Sequence, residues 1–183
     1  MLETYNKEDR PLLAGIYHHP SFQELESFIE EGFGLKQAAI LRMDVDHLGR
    51  IFSEGLSEGD RTFSRKSSLS RQLSLFFKYH INGVIGLAKK GGYENLKRTN
   101  SAGRKEEDLW AGRAVSLVYA GGDDLFLIGQ WLDCIEAAFD INESFRRFTG
   151  NPGITLSGGL ALGEAHHPIY QFAMDSGDAV TKA

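Results

Sequence analysis

Long apolar runs are absent from this chain, and with them the class of proteins that cross a bilayer on helices. No stretch approaches the roughly 20 consecutive apolar residues that a span requires. The apolar core of a signal peptide is absent from the N-terminus, so no membrane partner is expected. Cysteine is nearly absent too: Cys134 stands alone in an apolar-periodic stretch. An internal disulfide framework is therefore excluded, and the composition fits a soluble protein of a reducing cytoplasm. A lone thiol in such surroundings reads as a small buried hydrophobe. Nor is there an excess of positive charge, because the net charge is −5, which argues against a chain that grips nucleic acid broadly by its own field. What remains is ordinary: 183 residues, 42% apolar and 25% charged, enough for one globular domain with a sizeable core. Neither an internal repeat nor a second globular domain is visible.

Residues 1–20 have no clean period and read as an irregular lead-in. Ser21 then caps a helix in which Phe22, Leu25, Phe28 and Ile29 recur at helical spacing until Gly32. Residues 1–35 form this lead-in, and 36–183 the main domain. Lys36 to Met43 is short, apolar and stops at Asp44, the pattern of a strand. A short helix is expected from His47 to Leu56, closed by Gly55 and Gly59. A long amphipathic helix follows, with Leu69, Leu73, Phe76, Phe77, Ile81, Val84 and Ile85 on one stripe and Gly91-Gly92 at its end. Residues 91–113 are polar and glycine-containing, the composition of a long surface loop. Ala114 to Tyr119 alternates, placing Val115, Leu117 and Tyr119 on one face of a strand. Gly121-Gly122-Asp123 supplies a turn, and Leu125 to Ile128 the returning strand. Leu132, Ile135, Phe139, Phe145 and Phe148 trace a helix to Gly150. Ile154, Leu156, Leu160 and Leu162 alternate as a fourth strand, and Pro168 opens a last helix. This order predicts an α+β fold, a ferredoxin-like βαββαβ palm with extra helices.

That topology has a chemical consequence. In the usual strand order 4-1-3-2 the first and third strands are neighbours, and the hairpin between the second and third sits where the first strand ends. Asp44 is thus expected beside Asp123 and Asp124. Carboxylates crowded at one edge repel unless a cation lies among them. Hard oxygens without His or Cys suit Mg²⁺ or Mn²⁺, and two such ions can clamp an in-line phosphoryl displacement. Gly121 and Gly122 let backbone approach a nucleotide closely. The helix opening at His47, Leu48 and Gly49 would aim free amides at a triphosphate. Asp46 reads equally as an N-cap for that helix or as a ligand. Gly-Gly-Asp alone is an ordinary hairpin turn; its weight comes from standing with an Asp-x-Asp after the first strand.

Several segments carry a resemblance. Leu41-Arg42-Met43-Asp44-Val45-Asp46-His47-Leu48-Gly49, Ser68-Leu69-Ser70-Arg71 through Phe76-Phe77, and Val118-Tyr119-Ala120-Gly121-Gly122-Asp123-Asp124-Leu125-Phe126 are three of them. With Ile154-Thr155-Leu156-Ser157-Gly158-Gly159 and Pro168-Ile169-Tyr170, they resemble the large subunit of type III-A CRISPR effector complexes. The likeness runs from about residue 37 onward and is to that subunit's second palm, the one bearing Gly-Gly-Asp-Asp. It implies conversion of ATP into cyclic oligoadenylates, second messengers of antiviral defence, when a prokaryotic cytoplasmic complex binds target RNA. On this likeness Asp44, Asp123 and Asp124 would hold two metal ions, with the Val45 carbonyl as an extra ligand. The 3′-hydroxyl of one ATP would attack the α-phosphate of the next. Expected partners are a second palm, other subunits, guide RNA and target RNA. The family's subunit is several times longer, so the chain corresponds to a piece of it. The His-Asp dipeptide of the associated nuclease is missing, as is the partner palm, so the isolated chain is expected to be weak or inactive unless it self-associates. Related palms carry an Ala-Lys pair in the last helix; here Lys182 stands near that position as a phosphate ligand or an exposed neighbour.

Two rival readings remain. A diguanylate cyclase shares the hairpin but has Glu-Phe where this chain has Asp124-Leu125, and its guanine-recognition segment has no counterpart between residues 48 and 75. The Ser/Arg-rich stretch there offers Ser70 to an adenine edge, with helix capping or solvent exposure as its alternatives. A non-catalytic nucleotide-binding scaffold would be expected to lose acidic ligands that are all present. Lys97, Arg98, Arg104 and Lys105 interleave with Glu94, Glu106, Glu107 and Asp108, the pattern of a solvated loop rather than an RNA contact.

Overall fold

The computed structural model describes residues 35–55, 57–87, 113–164 and 169–182. The helix expected over Ser21 to Gly32, the basic cluster at 97–105 and Pro168 lie outside them.

Strand β1 spans Ala38–Val45. Ala38, Ala39 and Ile40 are wholly buried and Leu41 almost so, which is the mark of a strand covered on both faces. It is also paired on both edges, antiparallel to β3 (Asp124–Gln130) and to β4 (Leu156–Gly163). With β2 (Val115–Gly121) outside β3, the order is β2-β3-β1-β4. Because β3 opposes both β1 and β2, those two run parallel, as the ferredoxin-like reading requires. β1 runs through Asp44 to Val45 instead of stopping before Asp44. The reason is pairing: Asp44 meets Asp124 on one side and Ser157 on the other. β4 starts at Leu156 rather than Ile154, whose N–H is taken by the Asn151 carbonyl in a turn.

Among the described residues the sheet is accompanied by α1 (Leu48–Glu54), a 3-10 turn (Glu58–Asp60), α2 (Phe63–Leu75), a π-helical turn (Phe76–His80), α3 (Ile81–Leu87), α4 (Trp131–Thr149) and α5 (Ile169–Lys182). The long helix expected from the 69–85 stripe is therefore real but interrupted. Its stripe is still buried, because the wider turn, closed by the Ile81 N–H on the Phe76 carbonyl, brings Ile81 rather than His80 inward. Phe76 meets the Phe145 ring edge-on at 5.0 Å, and Phe77 meets it at 5.9 Å. Such pairs add about 0.5–1.5 kcal/mol each beyond their buried area, and they lock this helical stretch to α4. Ala39, Leu41, Met43 and Val45 join Leu125 and Leu127 beneath these helices in the main core.

The sheet's other face carries a smaller core of Ile40, Ile128 and Ala161, with Phe126 against it. Helix α5 lies over β4 and β1 on this face. A Cβ on Gly159 would fall 2.2 Å from the Ser176 carbonyl oxygen and 2.5 Å from the Val180 nitrogen, so glycine there sets how closely α5 can approach. Arg113 departs from the expected surface loop: it is buried, donates to the Val84 carbonyl at 3.0 Å and pairs with Asp140. Its ionic partner lies on α4, 27 residues away, out of reach of any local pattern. Replacing Gly159 with Val should force α5 off the sheet and cost about 1–3 kcal/mol, measured as a lower denaturation midpoint with an unchanged m-value.

Candidate active site

Along β1 the second face changes character from Ile40 to Arg42 to Asp44, and along β3 from Ile128 to Phe126 to Asp124. These residues are cross-strand partners: Ile40 with Ile128, Arg42 with Phe126, Asp44 with Asp124. Helix α5 covers the β1 and β4 part of the apolar half, and the polar half lies toward the strand ends. Alternation puts Asp44 on this face because Met43 and Val45, on either side of it, are 3% exposed in the main core.

Asp44 and Asp124 face each other in the ladder, with α-carbons about 5 Å apart by the geometry of antiparallel pairs. Asp123 sits in the two-residue loop between Gly121 and Asp124, which are themselves paired. Gly122 has φ of 70°, a value that glycine adopts without steric cost and that a primed hairpin turn needs. Next to this loop the Val45 N–H donates to the Asp123 carbonyl at 3.2 Å. The strand end and the hairpin tip are thus joined through main chain.

Burial first, then the charge of Asp123, raises the Asp44 carboxyl above the ordinary carboxylate value, against the opposing pull of the Val45 N–H. Asp124 is raised likewise by burial and then by Asp123, while the Tyr119 hydroxyl and the Arg42 guanidinium work in the other direction. The charge of Asp124 in turn pushes the Tyr119 phenol up, and burial adds to it. The site is therefore acidic beyond what its own cations neutralise. Among the described residues no three His, Cys, Asp or Glu side chains close around one point as a ready-made metal cage.

Tyr119 was expected on the inner face with Val115 and Leu117. A bulge between Leu117 and Tyr119 shifts the register, so that Tyr119 faces Phe126 and Ala120 faces Leu125. Ala120 therefore packs inward, and Tyr119 stands on the acidic face, 51% exposed, donating to the Gly121 carbonyl at 3.1 Å. Arg42 shares that face, being two residues from Asp44 in a strand, a signal legible in the sequence. Beside the carboxylates is a cavity of about 380 Å³, bounded by Arg42, Asp44, Asp124 and, from α5, Met174, Asp178 and Thr181. The α5 residues had no sequence signal, because the helix reaches this face only by tertiary packing.

The remaining expected residues are spread out. His47 adopts a left-handed conformation (φ 51°, ψ 34°) and precedes α1 without a side-chain cap. The amides of Arg50 and Ile51 return to the His47 carbonyl, so those of Leu48 and Gly49 precede the first helical bonds. Apart from its own stretch of helix backbone, no atom of the described residues lies within 4 Å of where a Gly49 Cβ would be. At seven residues, α1 is shorter than expected and its dipole is small. Asp46 does not cap it; its carboxylate accepts from the Thr155 hydroxyl instead. Ser70 lies exposed midway along α2, whose cap is Thr62. Lys182 is exposed at the end of α5, one residue past the cavity wall at Thr181.

A four-stranded βαββαβ sheet with an acidic hairpin set against the end of its first strand is a palm, the fold shared by nucleotide polymerases and cyclases. The chain belongs to the Cas10/Cmr2 second palm domain family, which it matches over residues 37–183. It is 32% identical over 155 residues to the CRISPR system single-strand-specific deoxyribonuclease Cas10/Csm1 (subtype III-A) of Enterococcus italicus, covering 85% of this chain and 17% of that protein. The Mycobacterium tuberculosis protein of the same description is 33% identical over 159 residues, covering 85% of this chain and 18% of its own length. This chain thus spans less than a fifth of those relatives. The crystal structure of a Csm1–Csm4 cassette in complex with cA4 aligns with TM-score 0.74 and 28% identity, over 93% of this chain and 23% of that one. Cassettes in complex with one ATP, pppApA and pppApApA align with TM-scores of 0.69, 0.69 and 0.72.

The raised carboxyls make a stability prediction. Each such group stabilises the fold fully below its unfolded value, near the ordinary 3.8, and that contribution is lost as pH rises through the raised folded value. Asp44→Asn, which cannot ionise, should therefore raise Tm by about 2 °C near neutral pH. The gain should shrink toward pH 4, which thermal melts across pH will show.

Proposed function

We propose that this palm supplies one half of a site that converts ATP into cyclic oligoadenylates within a type III-A CRISPR effector complex activated by target RNA. The observation that carries the proposal is the ladder pairing of Asp44 with Asp124 at the sheet end where Asp123 turns the hairpin. The ligands named for the related cassettes support it: ATP, pppApA, pppApApA and cA4 form a series in which adenylates are added and the chain is closed.

The residues fit Mg²⁺ or Mn²⁺. The donors are carboxylate oxygens whose charge is not neutralised in place, and such ions are commonly held by one or two carboxylates with water and substrate phosphates, not by an all-protein cage. Two ions bound by Asp44, Asp123 and Asp124, with the Val45 carbonyl, would supply activation of the attacking 3′-hydroxyl and neutralisation of the leaving pyrophosphate. The protein's own part is positional. Gly121 and Gly122 bring the hairpin backbone close to the nucleotide, and the turn at His47, with the amides of Leu48 and Gly49, faces the phosphates. The attacking oxygen displaces pyrophosphate from the α-phosphorus of the next ATP, one P–O bond forming as another breaks. Arg42 and Tyr119 border Asp124 and favour its charged, metal-binding form, offsetting part of the rise that burial and Asp123 impose. Guide RNA, target RNA, a second palm and the other subunits act through the complex. We assign nucleotidyl transfer to this chain on its acidic hairpin, whereas its relatives are named for single-strand-specific DNA cleavage.

The test is product analysis in the assembled complex supplied with target RNA, Mn²⁺ and labelled ATP or GTP. Replacing Asp123 and Asp124 together by Ala should lower ring-closed adenylate by about 100-fold or more with circular dichroism unchanged, and Asp44→Asn should do nearly as much. Undiminished synthesis by the double variant would refute the metal assignment, and guanylate as the only product would refute the adenylate one.

A further inference from the structure

Asp46 has no part in the chemistry proposed above, yet it belongs to the Asp-x-Asp that follows the first strand. In a continuing strand it would share the face of Asp44, two residues earlier. The chain instead leaves the sheet at Val45, and His47 enters the left-handed region with φ 51°, a conformation uncommon for a residue with a side chain. Something must hold it there.

The contacts around Asp46 form a reciprocal pair with Thr155, the residue before β4. The Asp46 N–H donates to the Thr155 carbonyl at 3.0 Å, and the Thr155 hydroxyl donates to Asp46 Oδ2 at 2.5 Å. One residue earlier, the Val45 N–H is tied in the opposite direction, to the Asp123 carbonyl at 3.2 Å. Successive amides of the departing chain are thus anchored to its two neighbours, the acidic hairpin on one side and the segment leading into β4 on the other. The Val45 carbonyl lies between the two anchors, and the Leu48 and Gly49 amides follow immediately.

We infer that Asp46 and Thr155 form a positioning clamp that fixes the turn at His47 relative to Asp44, and so sets where the Val45 carbonyl meets the metal ion that accompanies a bound nucleotide. The inference rests on the proposed reading of the site, but it assigns Asp46 to the scaffold and not to the metal. Threonine suits the task because its hydroxyl donates to the carboxylate while its carbonyl accepts from the same residue. A serine can make both bonds. A valine of the same shape keeps only the main-chain one.

Four variants test this in the assembled complex: Thr155→Val, Thr155→Ser, Asp46→Asn and, as the ligand control, Asp44→Asn. Amide hydrogen exchange is followed without metal, and Mn²⁺–ATP affinity is measured by titration. Thr155→Val should speed exchange at Asp46, Arg50 and Ile51, the amides that are hydrogen-bonded across and after this turn. It should also weaken Mn²⁺–ATP binding by about tenfold, whereas Thr155→Ser and Asp46→Asn stay within about threefold of wild type. Wild-type exchange in Thr155→Val overturns the clamp, as does faster exchange with unchanged affinity. Loss of Mn²⁺ affinity in Asp46→Asn equal to that in Asp44→Asn overturns it too, by making Asp46 a ligand. A wild-type complex that binds no Mn²⁺–ATP sinks the reading of the site and the clamp with it; a binding complex indifferent to Thr155→Val sinks the clamp alone.

Discussion

Pairing along both edges of β1 is the constraint on which the rest of the molecule depends. The strand is central, and Ala39, Leu41, Met43 and Val45 are committed to the main core. That commitment aims Arg42 and Asp44 at the opposite face, because side chains alternate along a strand. A slip of one residue would bury Asp44 among the phenylalanines and expose Val45. Hydrophobic burial, not any attraction among acids, therefore fixes where the carboxylates stand. The β3 register then delivers Asp124 to the position across from Asp44, and the hairpin tip delivers Asp123 beside both.

This arrangement carries an electrostatic cost that the fold absorbs elsewhere. Burial and mutual charge raise the carboxyls of Asp44 and Asp124, and Arg42 and Tyr119 offset only part of the strain at Asp124. The aromatic packing of Phe76, Phe77 and Phe145, well away from the site on the other face, supplies stability that no acidic group needs to provide. Sites whose local interactions are unfavourable in the absence of a ligand are a common meeting point of stability and function.

The division of the two faces explains the shape of the site. One face is fully roofed by α4 and the α2–α3 stretch. Among the described residues the other is roofed by α5 over β4 and β1, where Gly159 lets the helix come close. At the strand ends this partial roof leaves a cavity whose floor is Arg42, Asp44 and Asp124 and whose wall is α5. The family relationship places the chain among second palm domains.

Much of this was legible in the sequence. The order of strands and helices, the central place of β1 and the approach of Asp44 to Asp124 follow from apolar periodicity and the usual strand order of such folds. Asp46 was legible only as a choice between cap and ligand, and the structure gives it a third role through Thr155, 109 residues away. Tyr119 was misplaced because a bulge adds one residue to one strand alone, which alternation cannot register. Arg113 looked like a loop residue because its partner Asp140 stands on α4, 27 residues along the chain.

Among the described residues the sequence by itself determined the order of strands and helices and which acids stand near a strand end, since those properties depend on neighbours within a few positions; the bounds of β1, β4 and α1 came from pairing and packing. Only the tertiary structure decided that Tyr119 joins the acidic face, that α5 walls the cavity and that Asp46 turns away to Thr155. Those outcomes depend on packing between distant segments, and no local pattern encodes the distance between two elements before they meet.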